Sequence, residues 1–389
     1  MSPFRISSTD NSRYWSSVRW VMLIAVLCGT LVAGLWPFHS PRNSVKWLAG
    51  ENGLRIGEAG TIVSAGEVRL TVPNDGCSVE IWVQPTGSHD SSTLLAFYSP
   101  HNPIQFALRQ SRDDLVLERN GLPDQKGARS RNFHIDSVFR SMRPVLLTIS
   151  SGPKGTAIYV DGVLAIASER FRVTATDCTG RLVVGTSPVN IDQWTGVLKG
   201  LAIYHSYLTA QQVARHYETW TTNERPETAE GERCTTLYLF TERRGNRVQN
   251  RIAAGCDLLI PEQYLIQDEI LLKPFWREFA LSRGYWEAVL KNIVGLVPLG
   301  FFLYSWVSGR TSVRRAAWIT TILGAIVSIT IEVLQARLPT RSSGTTDILT
   351  NTFGTWLGVV GYRYFQSVGA RQLPHVTDRK LGHLPISQI

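Results

Sequence analysis

The sequence lacks the patterns on which most metal sites and nucleophilic active sites depend. None of its five cysteines belongs to a Cys-x-x-Cys pair, its eight histidines are scattered, and no serine or cysteine stands in a nucleophile elbow. These absences argue against a zinc site and against hydrolysis through an activated serine or cysteine. We therefore expect neither a metal nor a cofactor.

Charged residues are also scarce, at 18% of 389 positions, and the mean hydropathy of −0.04 averages a polar middle with strongly apolar ends. Four apolar runs have the length that crosses ~30 Å of hydrocarbon, at 20–38, 289–307, 316–335 and 348–365. The sequence thus predicts four membrane helices. For the first run, a cleavable signal is the alternative, but the run ends in Trp36-Pro37-Phe38 without an A-x-A site, which favours an uncleaved anchor.

Nearly all of the net charge of +9 lies beside these runs. The basic residues concerned are Arg5, Arg13, Arg19, Arg310, Arg314, Arg315, Arg363, Arg371, Arg379 and Lys380. By the positive-inside rule, tails 1–19 and 366–389 are cytoplasmic, and the chain between the first two spans is outside the inner membrane. The basic pI of 9.5 then reflects topology, so we expect no nucleic-acid partner.

Four cysteines fall in the segment predicted to be external, where disulfides persist. They are Cys77, Cys178, Cys234 and Cys256, which allow three pairings. We prefer Cys77 with Cys178 and Cys234 with Cys256, because each pair then lies in its own segment. Free buried thiols are the alternative.

Residues 56–220 show many short strand patterns bounded by glycine, proline, asparagine or aspartate. In T-A-I-Y-V-D-G-V-L-A-I, Asp161 and Gly162 predict a type I′ hairpin turn between alternating strands. Many short strands at close spacing indicate an all-β sandwich.

Particular blocks of this region resemble the laminin-G and concanavalin-A-like jelly roll. They are E-I-W-V-Q-P from Glu80, L-V-V-G-T from Leu182 and G-V-L-K-G-L-A-I-Y-H-S-Y-L-T from Gly196. The resemblance implies binding of glycans or proteins, and the E-x-D-x-x-E strand of the superfamily's hydrolases is missing. Trp82 and Trp194 are candidates for stacking on sugar rings, and burial in the core is the favoured alternative for both.

A connector, residues 232–288, follows a linker at 223–231. Its last part, 271–285, mixes aromatic and basic residues just before a span, which is typical of the lipid headgroup layer. An ordinary amphipathic loop is the alternative.

Polar residues follow helical spacing in the last two runs. Gly324, Ser328, Glu332 and Gln335 form one stripe, and Asp347, Asn351, Gly354 and Gly358 form another. We expect the stripes to face each other at the outer leaflet, with Asn292 nearby and with Arg337 and Arg341 in the connecting loop. Ionisable groups at such a depth indicate a functional site. Gly354 and Gly358 form a G-x-x-x-G for close helix approach. The alternative is that these groups only join helices, with Asp347 as a cap.

These motifs resemble the VanZ-like family of integral membrane proteins. They are N-x-x-x-x-x-P-x-G at Asn292, Pro298 and Gly300, S-x-x-x-E-x-x-Q from Ser328, an arginine loop with Arg341, and D-x-x-x-N-x-x-G-x-x-x-G from Asp347. The resemblance places a VanZ-like unit at 289–365, with the jelly roll inserted after the first span. The family's founding association is with resistance to the glycopeptide antibiotic teicoplanin.

The sequence thus predicts a multidomain protein, an all-β jelly-roll sandwich plus an α-helical bundle of four spans. The expected partners are membrane lipid and a glycan or lipid-linked glycan at the outer leaflet, and whether a reaction occurs is left open. A membrane-anchored binding scaffold is the alternative. A transporter is less favoured, since polarity confined to one leaflet gives no continuous path.

Overall fold

The computed structural model describes residues 8–69, 76–88, 91–120, 131–189, 192–252, 255–266, 271–279, 283–336, 338, 341 and 343–371. These residues form two compact units, a helical unit that lies within 1–36, 271–335 and 343–389 and a sandwich unit that lies within 37–270 and 336–342. The helices are α1 Ser8–Leu35, α2 Ala210–Asn223, α3 Phe275–Glu278, α4 Arg283–Val307, α5 Val313–Gln335 and α6 Thr345–Arg371.

The strands up to the hairpin at Asp161 are β1 Lys46–Trp47, β2 Leu54–Ile56, β3 Ile62–Ser64, β4 Cys77–Pro85, β5 Ser92–Ser99, β6 Asn102–Ser111, β7 Asp114–Arg119, β8 Arg131–Ile135, β9 Val145–Gly152 and β10 Gly155–Val160. The later strands are β11 Val163–Ser168, β12 Arg181–Val184, β13 Gly196–Tyr204, β14 Cys234–Tyr238, β15 Arg247–Val248 and β16 Leu258–Leu259.

Two antiparallel sheets of eight strands each build the sandwich unit. The first has the order β1-β2-β13-β4-β9-β10-β11, with β14 also paired to β13, and the second has the order β15-β16-β3-β12-β5-β6-β7-β8. The main apolar core joins side chains of both sheets, such as Ile81 and Leu147 of the first with Phe97 and Phe106 of the second. This architecture agrees with the predicted jelly roll.

Strand β4 shows how the alternating sequence produces two buried faces. Val79, Ile81 and Val83 belong to the core between the sheets, while Glu80 points to the opposite face. There α2 covers the first sheet with a second apolar cluster that includes Trp220. Successive side chains of a strand point to opposite faces. Both faces of β4 are covered, so Glu80 is fully buried although it points away from the core between the sheets.

The predicted hairpin turn is present between β10 and β11. Asp161 and Gly162 both have positive φ, 51° and 78°, as a type I′ turn requires. The sandwich, however, extends past the predicted boundary at residue 220. Strands β14, β15 and β16 lie in the predicted connector, and they pair with the two sheets through β13 and β3. The segment has strand character in the sequence, but the sequence did not show that these strands join the two sheets.

The Cys77–Cys178 disulfide is formed as predicted. The second predicted pair is not formed, and Cys234 and Cys256 are free thiols. Cys234 begins β14 in the first sheet, whereas Cys256 precedes β16 of the second. Their thiols contact different carbonyl groups, those of Thr236 and Gly66 respectively. Their spacing in the sequence did not reveal that the two cysteines lie at strands of different sheets.

The helical unit packs α1, α4, α5 and α6 around a common apolar cluster that includes Leu23, Leu299, Ala316 and Val359. Among the described residues, three stretches are long and apolar enough to cross a membrane: Ser17–Leu35, Arg283–Val307 and Val313–Gln335. Helix α6 has 27 residues and is not among them, since threonine, asparagine, glycine and arginine dilute its apolar residues. The chain is therefore a membrane protein with three candidate spans, and the fourth span stays a prediction.

Candidate functional site

A short segment paired with the start of α6 positions the polar residues of the helical unit. The Lys273 N–H donates to the Ser343 carbonyl at 3.0 Å, and the Thr345 N–H donates to the Lys273 carbonyl at 2.9 Å. These two bonds tie the chain before α3 to the entry of α6. They bring residues 271–278 beside a loop more than sixty positions later in the sequence.

Glu332 lies at the centre of this region, with a side chain that is 1% exposed. Its Oε2 accepts the Gly344 N–H at 2.8 Å, and its carboxylate also interacts with the Ser343 hydroxyl. A buried carboxylate is costly unless hydrogen bonds compensate for its lost hydration. The loop before α6 supplies these bonds to the carboxylate of α5.

Glu278 is a third acidic member of the region, beside Glu332 and Asp347, and the sequence did not reveal it. Its Oε2 accepts the Thr346 N–H in the first turn of α6 at 2.9 Å. A Cβ on Gly344 would collide with the Glu278 carboxylate, which would then have to move. Both Glu278 and Asp347 interact electrostatically with Glu332. A helix N-terminus favours negative charge, which explains why carboxylates gather there.

Two further hydrogen bonds join the predicted polar residues across helices. The Asn292 Nδ2 of α4 donates to the Asp347 Oδ1 of α6 at 2.7 Å. The Asn351 Nδ2 donates to the Ser328 Oγ of α5 at 3.0 Å. The stripes of α5 and α6 therefore meet at Ser328 and Asn351, and α4 joins them through Asn292. We call Glu278, Asn292, Ser328, Glu332, Asp347 and Asn351 the α6 cluster.

Several buried oxygens near this cluster have no hydrogen-bond partner among the described residues, including Oγ1 of Thr346, Oδ1 of Asn351 and Oε1 of Gln335. The other end of the Gln335 amide donates to the Gly34 carbonyl of α1 at 2.7 Å. Unsatisfied buried acceptors are uncommon in native structures and require an explanation, such as a bound ligand or water.

The predicted helix-packing glycines face two different helices. A Cβ on Gly354 or Gly358 would collide with the backbone of α4 at Ile293 or Val297, whereas a Cβ on Gly324 of α5 would collide with Thr355 of α6. The G-x-x-x-G therefore allows close approach to α4, and α5 contributes a glycine of its own.

One of the two arginines predicted in the connecting loop lies within the described residues. Arg337 lies outside the described residues. The Arg341 N–H donates to the Leu338 carbonyl within the loop. Within the described ranges, no three His, Cys, Asp or Glu side chains are arranged to hold a metal ion.

The two tryptophans considered for sugar stacking differ in burial. Trp194 is 1% exposed, and its Nε1 donates to the Gln110 Oε1 at 2.7 Å. Trp82 is half-buried, with Trp220 at its edge and the Lys199 ammonium over its ring. Trp194 is therefore a core residue, which agrees with the favoured interpretation, whereas Trp82 packs beside the apolar cluster beneath α2 and stays partly exposed.

A buried polar network beneath α2 was also not predicted from the sequence. The Glu80 carboxylate accepts hydrogen bonds from the Tyr204 hydroxyl at 2.8 Å and from the Trp220 Nε1 at 3.0 Å. It also contacts the His216 Nδ1 at 2.9 Å, and the His216 Nε2 contacts Glu232 at 3.0 Å. His216 thus joins two carboxylates in the interior.

The pKa values in this network follow from the contacts. Burial lowers the pKa of His216, but hydrogen bonds and charge from Glu80 and then Glu232 outweigh it, and the net pKa is raised. Burial raises the pKa of Glu232, but the Ala229 N–H, His216 and Arg215 together leave it lowered. The two pKa shifts favour a protonated His216 imidazole and an ionised Glu232 carboxylate, with Arg215 as a second cationic partner of Glu232.

Comparisons with known proteins agree with the two resemblances found in the sequence. Residues 234–366 match the VanZ/LLP1 family, and residues 57–214 match the concanavalin A-like lectin/glucanases superfamily in its laminin-G form. No curated protein matches the chain.

Solved structures resemble the chain at low identity. A putative carbohydrate binding protein from Bacteroides ovatus is 10% identical, with a TM-score of 0.36, and the match covers 57% of this chain and 58% of that chain. The receptor binding domain of botulinum neurotoxin C/D mosaic serotype is 13% identical, with a TM-score of 0.35, covering 53% of this chain and 59% of that chain. The binding domain of Paraclostridial Mosquitocidal Protein 1 is 12% identical, with a TM-score of 0.36 and a coverage of 47% of each chain.

The chain thus spans less than three-fifths of these structures, and at such TM-scores nothing about ligand or activity follows. The two family matches lie in order along the sequence and overlap the sandwich and helical units of the fold. The chain is a membrane protein that joins a concanavalin-A-like jelly roll to a VanZ-like unit.

Proposed function

We propose that this chain is a multi-pass protein of the inner membrane whose α6 cluster recognises, or acts on, a glycan or lipid-linked glycan at the outer leaflet. The jelly roll lies outside the membrane in this proposal and binds a glycan or a protein. Both termini are cytoplasmic, because basic residues flank the predicted spans on that side. Helix α6 is the fourth span.

The observation that carries this proposal is the burial of Glu332. Its carboxylate is 1% exposed, yet α5 is apolar enough to cross a membrane. An ionisable group in such a helix is costly and marks a functional site by default. The carboxylates of Glu278 and Asp347 also interact with it. Because like charges repel, this grouping does not stabilise the fold.

The chemistry of the cluster suits a ligand rich in hydroxyl groups. Carboxylates and the free Oδ1 of Asn351 accept hydrogen bonds from hydroxyls, and a carboxyl group in the protonated state also donates one. Where a reaction occurs, Glu332 and Asp347 supply the acid and base groups. A lipid headgroup that carries sugar hydroxyls would reach such a site from the outer leaflet.

The test is photoaffinity labelling of the full chain in nanodiscs by a polyprenyl-linked disaccharide with a photoactivatable group. We expect labelled residues within 271–278 and 343–351, and labelling at least tenfold weaker in Glu332→Gln and Asp347→Asn. Glu287→Gln is the matched control, since Glu287 lies on α4, is half-exposed and pairs with Arg283. Equal labelling of both cluster variants and the control would refute the site.

The second candidate is a membrane-anchored scaffold without a membrane site. The hydrogen bonds of Asn292 with Asp347 and of Asn351 with Ser328 favour it, because they join helices as structural contacts do. In that case residues 44–264, tethered by an unrelated helix, should replace the full chain in cells, including under teicoplanin. Failure of a well-folded chimaera would count against the scaffold.

A further inference from the structure

Tyr207 is an exposed aromatic side chain of the sandwich unit. It is 54% exposed, while every other aromatic side chain among the described residues from 41 to 264 is buried or half-buried. An isolated exposed residue needs no explanation. The surroundings of Tyr207 therefore decide whether its exposed ring belongs to a binding site.

Buried serines fix the backbone on both sides of Tyr207. The Ser78 hydroxyl donates to the Ser206 carbonyl at 2.7 Å. The Ser150 hydroxyl donates to the Leu208 carbonyl at 2.9 Å and accepts the Leu208 N–H at 2.7 Å. Both serines are almost fully buried. The tyrosine thus stands on a rigid loop, which lowers the entropic cost of using it to bind a ligand.

The next residue along the chain adds to this rigidity. Thr209 caps α2, because its hydroxyl accepts the Gln212 N–H, and the Gln212 side chain accepts the Thr209 N–H in return. On the other side, the Tyr207 ring lies against Gly152, where a Cβ would stand 3.1 Å from the ring. Strand β9 therefore supports one side of the ring.

The Tyr207 ring borders a cleft of about 540 Å³ between the β9–β10 turn and β11. Its lining includes Lys154, Thr156, Ala157, Ala167, Glu169 and Thr209. This size falls in the range of small-ligand sites, roughly 300–1,000 Å³. The two alanines leave space beside the ring, while Lys154, Glu169 and Thr209 are exposed at the cleft.

We propose that this cleft binds one pyranose residue of a glycan, stacked on Tyr207. A pyranose has an apolar C–H face that suits an aromatic ring, and hydroxyl groups at its edge. The Glu169 carboxylate accepts bonds from adjacent hydroxyls, and Lys154 donates to ring or hydroxyl oxygens. The inference deepens the proposed function and rests on it, since it assigns the glycan site of the jelly roll.

An extended peptide is a poorer occupant of this cleft. A peptide adds to a sheet through the backbone of an edge strand, which here is β11. It would follow the exposed residues Val163, Leu164 and Ile166 and would not require the ring of Tyr207. The aromatic ring beside hydrogen-bonding groups therefore favours a sugar.

The test is calorimetric titration of the full chain in nanodiscs with cellohexaose, xylohexaose, chitohexaose and glycan strands released from peptidoglycan. We expect at least one of the four to bind. Tyr207→Ala should weaken that binding by about tenfold, whereas Tyr207→Phe should leave it within about threefold because the ring remains. Phe38→Ala is the matched control, since Phe38 is also 54% exposed, and it should not change binding.

Three results would overturn the inference. The first is that none of the four glycans binds, and the second is that wild type and Tyr207→Ala bind equally well. The third is that Leu164→Asp weakens glycan binding and Tyr207→Ala does not. The last result would place the ligand on β11. The outcome is separable from that of the α6 cluster. Glu332→Gln should leave titration unchanged, and Tyr207→Ala should leave the photoaffinity labelling of 271–278 and 343–351 unchanged.

Discussion

Replacement of Glu80 by glutamine tests whether the buried network beneath α2 depends on charge. The side chain keeps its shape, but an NH2 group replaces one carboxylate oxygen, and this NH2 group must face a hydrogen-bond acceptor. The Trp220 Nε1 can only donate, so the remaining oxygen must stay with it. The new amide then faces the His216 Nδ1, which can accept only when the imidazole is neutral.

The expected cost is that of one hydrogen bond to a charged group, about 1.5–3 kcal/mol of unfolding free energy. A loss of about 2 kcal/mol in a unit of this size lowers Tm by roughly 4–8 °C. Glu80→Leu leaves the Tyr204, His216 and Trp220 groups without their acceptor, and at about 1–3 kcal/mol for each unsatisfied group it should cost at least ~3 kcal/mol.

The pH dependence gives an independent measure of the same network. The pKa of His216 is raised in the folded protein, so its contribution is complete below the unfolded value of about 6.5 and is lost as pH rises through the folded pKa. The pKa of Glu232 is lowered, so its contribution is complete above about 4.5 and is lost as pH falls through the folded pKa. Stabilisation by this pair should be greatest between about pH 4.5 and 6.5.

The assay is thermal unfolding of the full chain in nanodiscs, followed by tryptophan fluorescence at pH values from 4 to 9. Wild-type Tm should fall as pH rises above about 6.5, and Glu80→Gln should weaken that slope because His216 is then neutral. Glu218→Gln is the control, since Glu218 is an exposed residue of the same helix. A Glu80→Gln variant as stable as this control, with the wild-type slope, would refute the reasoning.

Three further predictions concern helix packing and the cysteines. Gly358→Leu should separate α6 from α4 at Val297. The fluorine NMR spectrum of a label on α4 should then show altered packing. An unchanged spectrum would contradict the close approach of the two helices. Cys77→Ala should lower the unfolding free energy by about 2–5 kcal/mol, measured against the disulfide-bonded wild type, because Cys77–Cys178 closes a long loop; no loss would show that the bond contributes nothing. Thiol titration of the unfolded, unreduced chain should find three free thiols, and a value of one would show that Cys234 pairs after all.

The predictions that succeeded rest on local patterns in the sequence. The Asp161-Gly162 turn was predicted because few residues accept positive φ at both positions. The bounds of α4 and α5 lie close to the predicted apolar runs, because length and hydropathy are read directly from consecutive residues. The contacts of Asn292 with Asp347 and of Ser328 with Asn351 also follow helical spacing, though their role in a site stays a prediction.

The features that were missed depend on distant parts of the chain. Glu278 belongs to a helix of four residues, and only the pairing of Lys273 with Ser343 brings it to α6. Glu80 stands in an alternating strand where a charged residue normally faces water, and α2 covers it in the tertiary structure. Strand β14 is recognisable as part of the sandwich only through its partner β13.

The sequence by itself determined the classes of element and their order, because periodicity, hydropathy and turn residues act over a few neighbouring positions. It predicted an all-β sandwich, apolar helices and two polar stripes. The tertiary structure alone decided which side chains interact: Glu278 with Glu332 and Glu80 with His216, while Cys234 and Cys256 stay free thiols. Burial and hydrogen bonding depend on which distant segments pack together, and no local pattern specifies that packing.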